Sequence, residues 1–353
     1  MTTPTTIFDE SEWFPARLAN DYETLYFIKT NIDDLKAAPF LDQRFLNTEF
    51  QFTQRSICEV PLVSAPSEPR WIFHSSYCCS TLLTAAMNAT ASCHVLREPD
   101  ILMGLANAKR MLSQSEKGKA RYQMLFDRII PLLSRTPDHR PIILKPTNAA
   151  NNLLEEVLEL GHRAVIIMSS LADFLVSVIK KGEACRGFVR TLYNVFSMDA
   201  FGLDHFPARQ AIAFTDLQMA TLVWRAQMEL FSNLIERYPD QVVTLTDREF
   251  LEHKGATLNK LCHHFHVDAD ESSIGAVVAS DVFETNAKIA DQRFNADARE
   301  EEAANIQAIF GEDIAIMNKW ASQVRLKRDI EFPLPNRLLL TPGALAPDYR
   351  VSL

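Results

Sequence analysis

Glycine is scarce in this sequence, with 10 among 353 residues. A protein built only from β-strands needs many tight turns, where glycine is a preferred residue, so this scarcity disfavours an all-β fold. An excess of basic residues is also missing, because 36 Lys and Arg stand against 45 Asp and Glu, a formal net charge of −9. A surface of that sign repels nucleic acid and anionic membranes. We expect neither as a partner, and an anionic ligand must find a local pocket of basic side chains or backbone N–H groups.

Disulfide patterns and long apolar runs are lacking as well. The six cysteines show neither a repeated Cys-x-x-Cys nor the spacing of a small disulfide-rich domain, which favours a reducing compartment. No apolar run approaches the roughly 20 residues of a membrane-spanning helix. The first residues have no basic region followed by an apolar one, as a secretory signal would. We expect a cytoplasmic protein without a membrane segment, and homo-oligomer formation stays open.

Short apolar runs alternate with helical patterns through the middle of the chain. The runs predict strands at Arg70–His74, His94–Arg97, Pro141–Leu144, Ala164–Met168 and Val242–Leu245. This alternation is typical of an α/β fold, in which a doubly wound parallel sheet is covered by helices on both faces. We expect that domain over residues 68–270. A partly helical lead-in is expected over 1–67, and a helical C-terminal extension, packed on the same domain, over 271–353.

The turn from His74 to Thr81, between the first predicted strand and a predicted helix, has the composition of an anion site. It contains small side chains and ends on two hydroxyls, Ser80 and Thr81, before an apolar helix. A helix N-terminus presents backbone N–H groups and the positive end of a dipole to an anion. The turn lacks the G-x-x-x-x-G-K-[ST] pattern of a Walker A loop. A strand-to-helix turn with a serine cap and no ligand is the alternative interpretation.

Three blocks in order along the chain resemble the sulfotransferases that use 3′-phosphoadenosine 5′-phosphosulfate (PAPS) as donor. The run from Cys79 to Leu83 is similar to the Gly-Ser-Thr-Leu-Leu ending of the 5′-phosphosulfate loop in many bacterial members. Lys145 takes the place of the lysine in the family's Lys-Thr-His, and Ser177 keeps its serine for the 3′-phosphate. The spacing from Lys145 to Ser169 and on to Ser177 also reproduces the family's.

The resemblance implies a P-loop-like α/β domain that binds PAPS and releases 3′-phosphoadenosine 5′-phosphate (PAP). The donor-binding residues that it implies are Ser76, Tyr77, Cys78, Cys79, Ser80, Thr81, Ser169, Ser177, Lys180 and Lys181. Several differ from the family. Cys79 replaces a glycine, Cys78 a serine and Tyr77 the basic residue of the loop, and Ser169 stands where an arginine holds the 3′-phosphate.

We expect Lys180 and Lys181 to supply the positive charge that binds the 3′-phosphate, because they share a helical face with Ser177. The alternative is that both lysines only form a solvated helix end that complements the dipole.

The catalytic base must also come from a new position, because Thr147 stands where many family members keep a catalytic histidine. Glu98, just past the second predicted strand, is the expected base, with Arg97 tuning its carboxylate. Lys145 is expected to stabilise charge on the transferring group. His74 is the reserve base. We expect no metal, and the histidines near Cys262 are interpreted as a surface helix end.

The resemblance therefore implies a sulfotransferase that acts on a hydroxyl or amine of a small-molecule acceptor. One alternative is a P-loop kinase-like enzyme that transfers phosphate from ATP, although the missing Walker pattern counts against it. The other is a catalytically decayed member that binds a nucleotide or a protein. Tyr77, Thr147 and Ser169 favour this last alternative, since three family positions differ at once.

Overall fold

The computed structural model describes residues 6–46, 49–62, 68–199, 201–203, 206, 208–285, 296–324 and 330–340. The strands are β1 (Trp13–Leu18), β2 (Thr24–Lys29), β3 (Phe52–Ser56), β4 (Arg70–His74), β5 (His94–Arg97), β6 (Ile142–Lys145), β7 (Ala164–Met168) and β8 (Val242–Thr246). The helices before β7 are α1 (Ile32–Ala37), α2 (Gln43–Leu46), α3 (Ser80–Ala89), α4 (Asp100–Leu112), α5 (Glu116–Leu133) and α6 (Leu154–Glu159). Those after β7 are α7 (Leu171–Lys180), α8 (Gly182–Met198), α9 (Ala208–Ala213), α10 (Asp216–Arg237), α11 (Asp247–Glu252), α12 (Lys254–Phe265), α13 (Glu271–Ala279) and α14 (Ala296–Gln323).

Five parallel strands form the main sheet, in the order β5-β6-β4-β7-β8. Every residue of β5, β6 and β7 is buried, which is why these strands read as continuous apolar runs. β5 and β6 are in register from His94 against Ile142 to Arg97 against Lys145. The predicted α/β fold class, with a parallel sheet flanked by helices, is confirmed.

The N-terminal region contains strands in addition to the partly helical lead-in that the sequence predicts. Besides α1 and α2 it contains a three-stranded antiparallel sheet in the order β1-β2-β3. The alternating pattern of β2 buries Leu25 and Phe27 completely, as a strand with one covered face does. Arg135 holds the chain before β1, because its guanidinium donates to the carbonyl oxygens of Ile7, Phe8 and Glu10 at 2.9–3.1 Å.

The described residues group into two compact units. One takes its residues from 1–73, 81–164 and 262–291, and the other from 74–80, 165–261 and 292–353. The first contains the N-terminal sheet, β5, β6, α4 and α5, and the second contains β8, α7, α8, α10 and α14. The expected domain boundaries after residues 67 and 270 remain a prediction.

In the C-terminal region, α14 packs against α7 and α10 within the second unit. After it, Arg337 makes a parallel bridge with Thr244 in β8, and its guanidinium forms an ion pair with Glu249. Of the helices that the structure describes, none has both the length and the apolar character to cross a membrane.

Candidate active site

The turn after β4 adopts a backbone conformation that favours glycine, although it contains no glycine. Ser76, Tyr77 and Cys79 have φ angles of 72°, 57° and 59°. A non-glycine residue in such a conformation costs about 1–3 kcal/mol and persists only where the surrounding structure determines it. Left-handed residues in a turn direct successive N–H groups to one side, where they form an anion-binding concavity. α3 then begins at Ser80, and the N–H groups of a first helical turn have no partner within the helix.

Contacts with β7 and α10 hold the start of this turn. The Ser75 N–H and the Cys78 thiol both donate to the Ile167 carbonyl oxygen at 3.2 Å. The Gln227 side-chain amide donates to the Ser75 carbonyl oxygen at 3.3 Å. Gln227 is completely buried on α10, 152 positions further along the chain. No local sequence pattern marks Gln227, so sequence reasoning missed it.

Ser169 carries a buried hydroxyl at the end of β7. The residue has no solvent exposure, and its Oγ has no hydrogen-bond partner within the described part of the chain. Its backbone is fixed, because the N–H donates to Ser75 Oγ at 3.4 Å and the carbonyl oxygen accepts from the Trp224 indole at 3.0 Å. A buried polar group without a partner costs roughly 1–3 kcal/mol, so a ligand that reached Ser169 Oγ would recover free energy.

His74 is buried at the end of β4, and its ring takes part in the turn. Nδ1 accepts the Ser76 N–H at 3.1 Å, so the proton of a neutral His74 lies on Nε2. A base must offer a nitrogen lone pair, and in His74 that lone pair is engaged. Ser80 and Thr81, at the start of α3, are also buried.

Tyr77, which stands in place of the family's basic loop residue, brings a lysine to the turn. Its hydroxyl contacts the Cys185 sulfur, and burial together with this contact raises the pKa of Tyr77 well above its ordinary value. The Lys181 ammonium lies 4.1 Å from the centre of the Tyr77 ring, a cation–π contact. The neutral phenol supplies no charge itself, but a positive charge stands beside the turn.

The neighbouring lysine, Lys180, contacts a different part of the protein. Lys180 forms an ion pair with Glu302 of α14, between side chains that are 37% and 56% exposed. Ser177 is half-buried one turn earlier, and its carbonyl oxygen accepts the Lys181 N–H at 3.3 Å. Of the two lysines that the sequence treats as equivalent, Lys181 contacts the Tyr77 ring and Lys180 pairs with Glu302.

Glu98 and Lys145 form an ion pair at the ends of neighbouring strands. The Lys145 ammonium donates to Glu98 Oε1, and the Glu98 N–H donates to the Lys145 carbonyl oxygen at 2.6 Å. Lys145 is only 1% exposed, whereas 18% of the Glu98 side chain is exposed. Since Arg97 pairs with Lys145 in the parallel register, Glu98 emerges at the carboxyl end of the sheet, where α/β proteins bind ligands.

Glu98 adopts a strained backbone conformation, with φ of 53° directly before Pro99. The residue before a proline ordinarily prefers an extended conformation. Leu41 fixes the segment from both sides, because its N–H donates to the Arg97 carbonyl oxygen at 2.7 Å and its carbonyl oxygen accepts the Asp100 N–H at 3.0 Å. Strain of this kind is typical of functional positions.

Arg97, which the sequence suggested as the partner of Glu98, points to other groups. Its guanidinium donates to the Lys36 carbonyl oxygen, and burial lowers the pKa of Arg97. Lys145, and not Arg97, is the charged partner of Glu98. The Phe40 ring lies 5.9 Å from the Lys145 ammonium and covers it with an apolar surface.

Two of the histidines near Cys262, His263 and His266, are exposed at the end of α12, as the sequence predicts, whereas the third is not. His264 is buried on α12, and its Nε2 donates to the Ala164 carbonyl oxygen at 3.0 Å. Across the residues that the structure describes, no group of three or more His, Cys, Asp or Glu side chains is arranged to hold a metal ion.

Comparison with known proteins gives similarity to solved structures alone. No protein-family model matches it, and no curated protein matches it either. Among solved structures it is similar to the sulfotransferase domain from the curacin biosynthetic pathway, with 13% identity and a TM-score of 0.38 over 76% of this chain and 95% of that one. The sulfotransferase domain from the olefin synthase of Synechococcus PCC 7002 is 16% identical, with a TM-score of 0.35 over 77% and 94%.

A third similar structure is a retinol dehydratase in complex with androsterone and the inactive cofactor PAP. It is 10% identical, with a TM-score of 0.38 over 81% of this chain and 92% of that chain. Identities and TM-scores this low do not assign an activity.

Proposed function

We propose that the protein is a PAPS-dependent sulfotransferase-like enzyme that transfers a sulfuryl group to a hydroxyl or amine of a small molecule in the cytoplasm. The observation that carries this proposal is the left-handed backbone at Ser76, Tyr77 and Cys79, in the turn whose sequence resembles the family's phosphosulfate loop. Proteins maintain strain in a turn where it serves a ligand. Three residues of this kind within one turn support a ligand-binding role.

The residues that surround this turn support a PAPS donor. The N–H groups at the start of α3 would bind the 5′-phosphosulfate, together with the hydroxyls of Ser80 and Thr81, because the Ser75 and Ser76 N–H groups donate within the protein. Lys181, on the ring of Tyr77, would supply the positive charge that Tyr77 itself lacks. The buried hydroxyl of Ser169, without a partner in the described residues, supports a further contact with the donor, and Ser177 would bind the 3′-phosphate.

The chemistry requires a base and a positive charge. PAPS supplies the sulfuryl group and leaves as PAP. Glu98 would accept the proton of the acceptor hydroxyl as the new S–O bond forms, through Oε2, because Oε1 receives the Lys145 ammonium. Lys145 orients this carboxylate and would stabilise the negative charge that develops during transfer.

We expect PAP to raise the melting temperature more than AMP or ATP with magnesium does. A ligand that binds only the folded protein adds about 2.7 kcal/mol to stability at 100 times its dissociation constant, a shift that thermal unfolding resolves readily. A larger shift with ATP and magnesium would support the kinase-like alternative. The absence of a shift with all three nucleotides would support a decayed site.

We expect Lys181→Met to weaken PAP binding about tenfold or more, since hydrogen bonds to charged groups contribute about 1.5–3 kcal/mol. Lys180→Met is the matched control, because Lys180 pairs with Glu302 and its removal should change PAP affinity less than threefold. Calorimetric titration of both variants measures the two affinities. Equal losses would show that the lysines supply only a general positive field. Titration with adenosine 5′-phosphosulfate, which lacks the 3′-phosphate, tells which phosphate Lys181 serves.

A further inference from the structure

A groove of about 640 Å³ lies between the N-terminal sheet and the start of α4, within the first compact unit. β1 and β2 form one side of the groove, and residues of α4 form another. Phe52 of β3 also lines it, and this large apolar side chain is 71% exposed. The volume lies within the range of small-molecule sites, roughly 300–1,000 Å³.

The lining combines an apolar surface with hydrogen-bonding groups and carries no net charge. Its charged residues are Arg17 and Asp100, and these pair with each other, Nε to Oδ2, at 3.0 Å. The amide side chain of Gln43 provides a donor and an acceptor, and that of Asn107 provides a donor, because Asn107 Oδ1 accepts from the Arg110 guanidinium at 2.9 Å. A charged ligand would have to displace the ion pair or remain unpaired, so the groove favours a neutral one.

Residues that line the groove are close in sequence to residues of the Glu98–Lys145 ion pair. Asp100 lines the groove only two residues after Glu98, and two residues of extended chain span about 7 Å at most. Leu41, which hydrogen-bonds on both sides of Glu98, is two residues from Gln43 in the lining. The segment from Phe40 to Gln43 thus begins against Lys145 and ends at the groove.

We propose that this groove binds the acceptor, and that the acceptor is a neutral molecule with an apolar ring or chain and additional hydroxyl or amide groups. Phe52 and Met103 pack against the apolar part, and Gln43 and Asn107 bind the polar groups. A hydroxyl at the Asp100 end of the ligand is then bound two residues along the chain from Glu98. The identification of this ligand as the acceptor rests on the proposed sulfuryl transfer, whereas its neutral, partly apolar character rests on the groove alone.

The test uses 2-naphthol as a neutral probe and 6-hydroxy-2-naphthoate as its anionic counterpart. Calorimetric titration of the full chain is expected to show that 2-naphthol binds at least tenfold more tightly than the anion. Asn107→Trp fills the groove from an exposed position of α4 and is expected to weaken 2-naphthol binding at least tenfold. Met111→Trp is the matched control, because Met111 is exposed on the same helix outside the lining, and binding should change less than twofold.

A second variant, Phe52→Ser, removes apolar lining from an exposed strand position and should also weaken 2-naphthol binding, so the test does not depend on one substitution. PAP should stabilise all three variants as it stabilises the original protein. Unchanged 2-naphthol affinity in both Asn107→Trp and Phe52→Ser, or no binding up to the solubility limit, would overturn the groove proposal while PAP stabilisation still supported sulfuryl transfer. Groove-dependent naphthol binding without any effect of PAP would support the groove and contradict the enzymatic function.

Discussion

Glu98→Gln is expected to lower the turnover of sulfuryl transfer about 10²–10⁴-fold, the usual contribution of a general base. Glutamine keeps the shape of the side chain and a hydrogen-bond acceptor for Lys145, but it cannot take up a proton at neutral pH. Turnover is measured with PAPS at a fixed saturating concentration and 2-naphthol as acceptor, at a temperature where the variant is folded. PAP should still stabilise the variant against heat, because the residues proposed to bind PAP do not include Glu98.

His74→Gln is the comparison that can contradict this assignment. His74 Nδ1 already accepts the Ser76 N–H, so we expect His74 to support the turn and not to act as the base. Its replacement should affect PAP binding and turnover together, whereas Glu98→Gln should affect turnover alone. Near-normal turnover in Glu98→Gln, with a collapse in His74→Gln at saturating PAPS, would move the base to the end of β4.

Lys145→Met is expected to lower the free energy of unfolding by about 3–5 kcal/mol, because removing one partner of a buried ion pair leaves the other charge without compensation. The loss should be near the lower limit, since 18% of the Glu98 side chain is exposed and water can solvate part of the carboxylate. Urea unfolding, extrapolated to zero denaturant, measures the difference. An exposed lysine provides the control: Lys29 pairs with Glu12 at 3.6 Å, and Lys29→Met should change stability by less than about 0.5 kcal/mol.

The double variant Glu98→Gln/Lys145→Met separates the ion pair from simple packing. When both charges are removed, no uncompensated charge remains, so the double variant should be more stable than Lys145→Met alone. If the two losses simply add, Glu98 and Lys145 are not coupled. The carboxylate would then have to be oriented by another group.

Several elements could be predicted from local pattern because burial on both faces gives a strand a continuous apolar sequence. β4, β5 and β7 begin and end at the predicted residues. β2 and β3 were not predicted because only part of each strand or none of it is buried, and β3 alternates half-buried with exposed residues. β1 is mostly buried, but Pro15 and Arg17 interrupt its apolar run. α8 was missed as well, although its sequence, from Gly182 to Met198, contains no proline.

The sequence by itself determined the α/β class, the position of the turn after β4 and the residue types around it, because these depend on local periodicity and on the order of motifs. Only the tertiary structure decided which charges meet. Lys145 pairs with Glu98, 47 positions away, because β5 and β6 lie in parallel register. Lys180 is occupied because α14 packs against α7, and Lys181 reaches the turn because Tyr77 offers it an aromatic face. Such pairings depend on distances between elements that are remote in sequence, which local residue patterns do not encode.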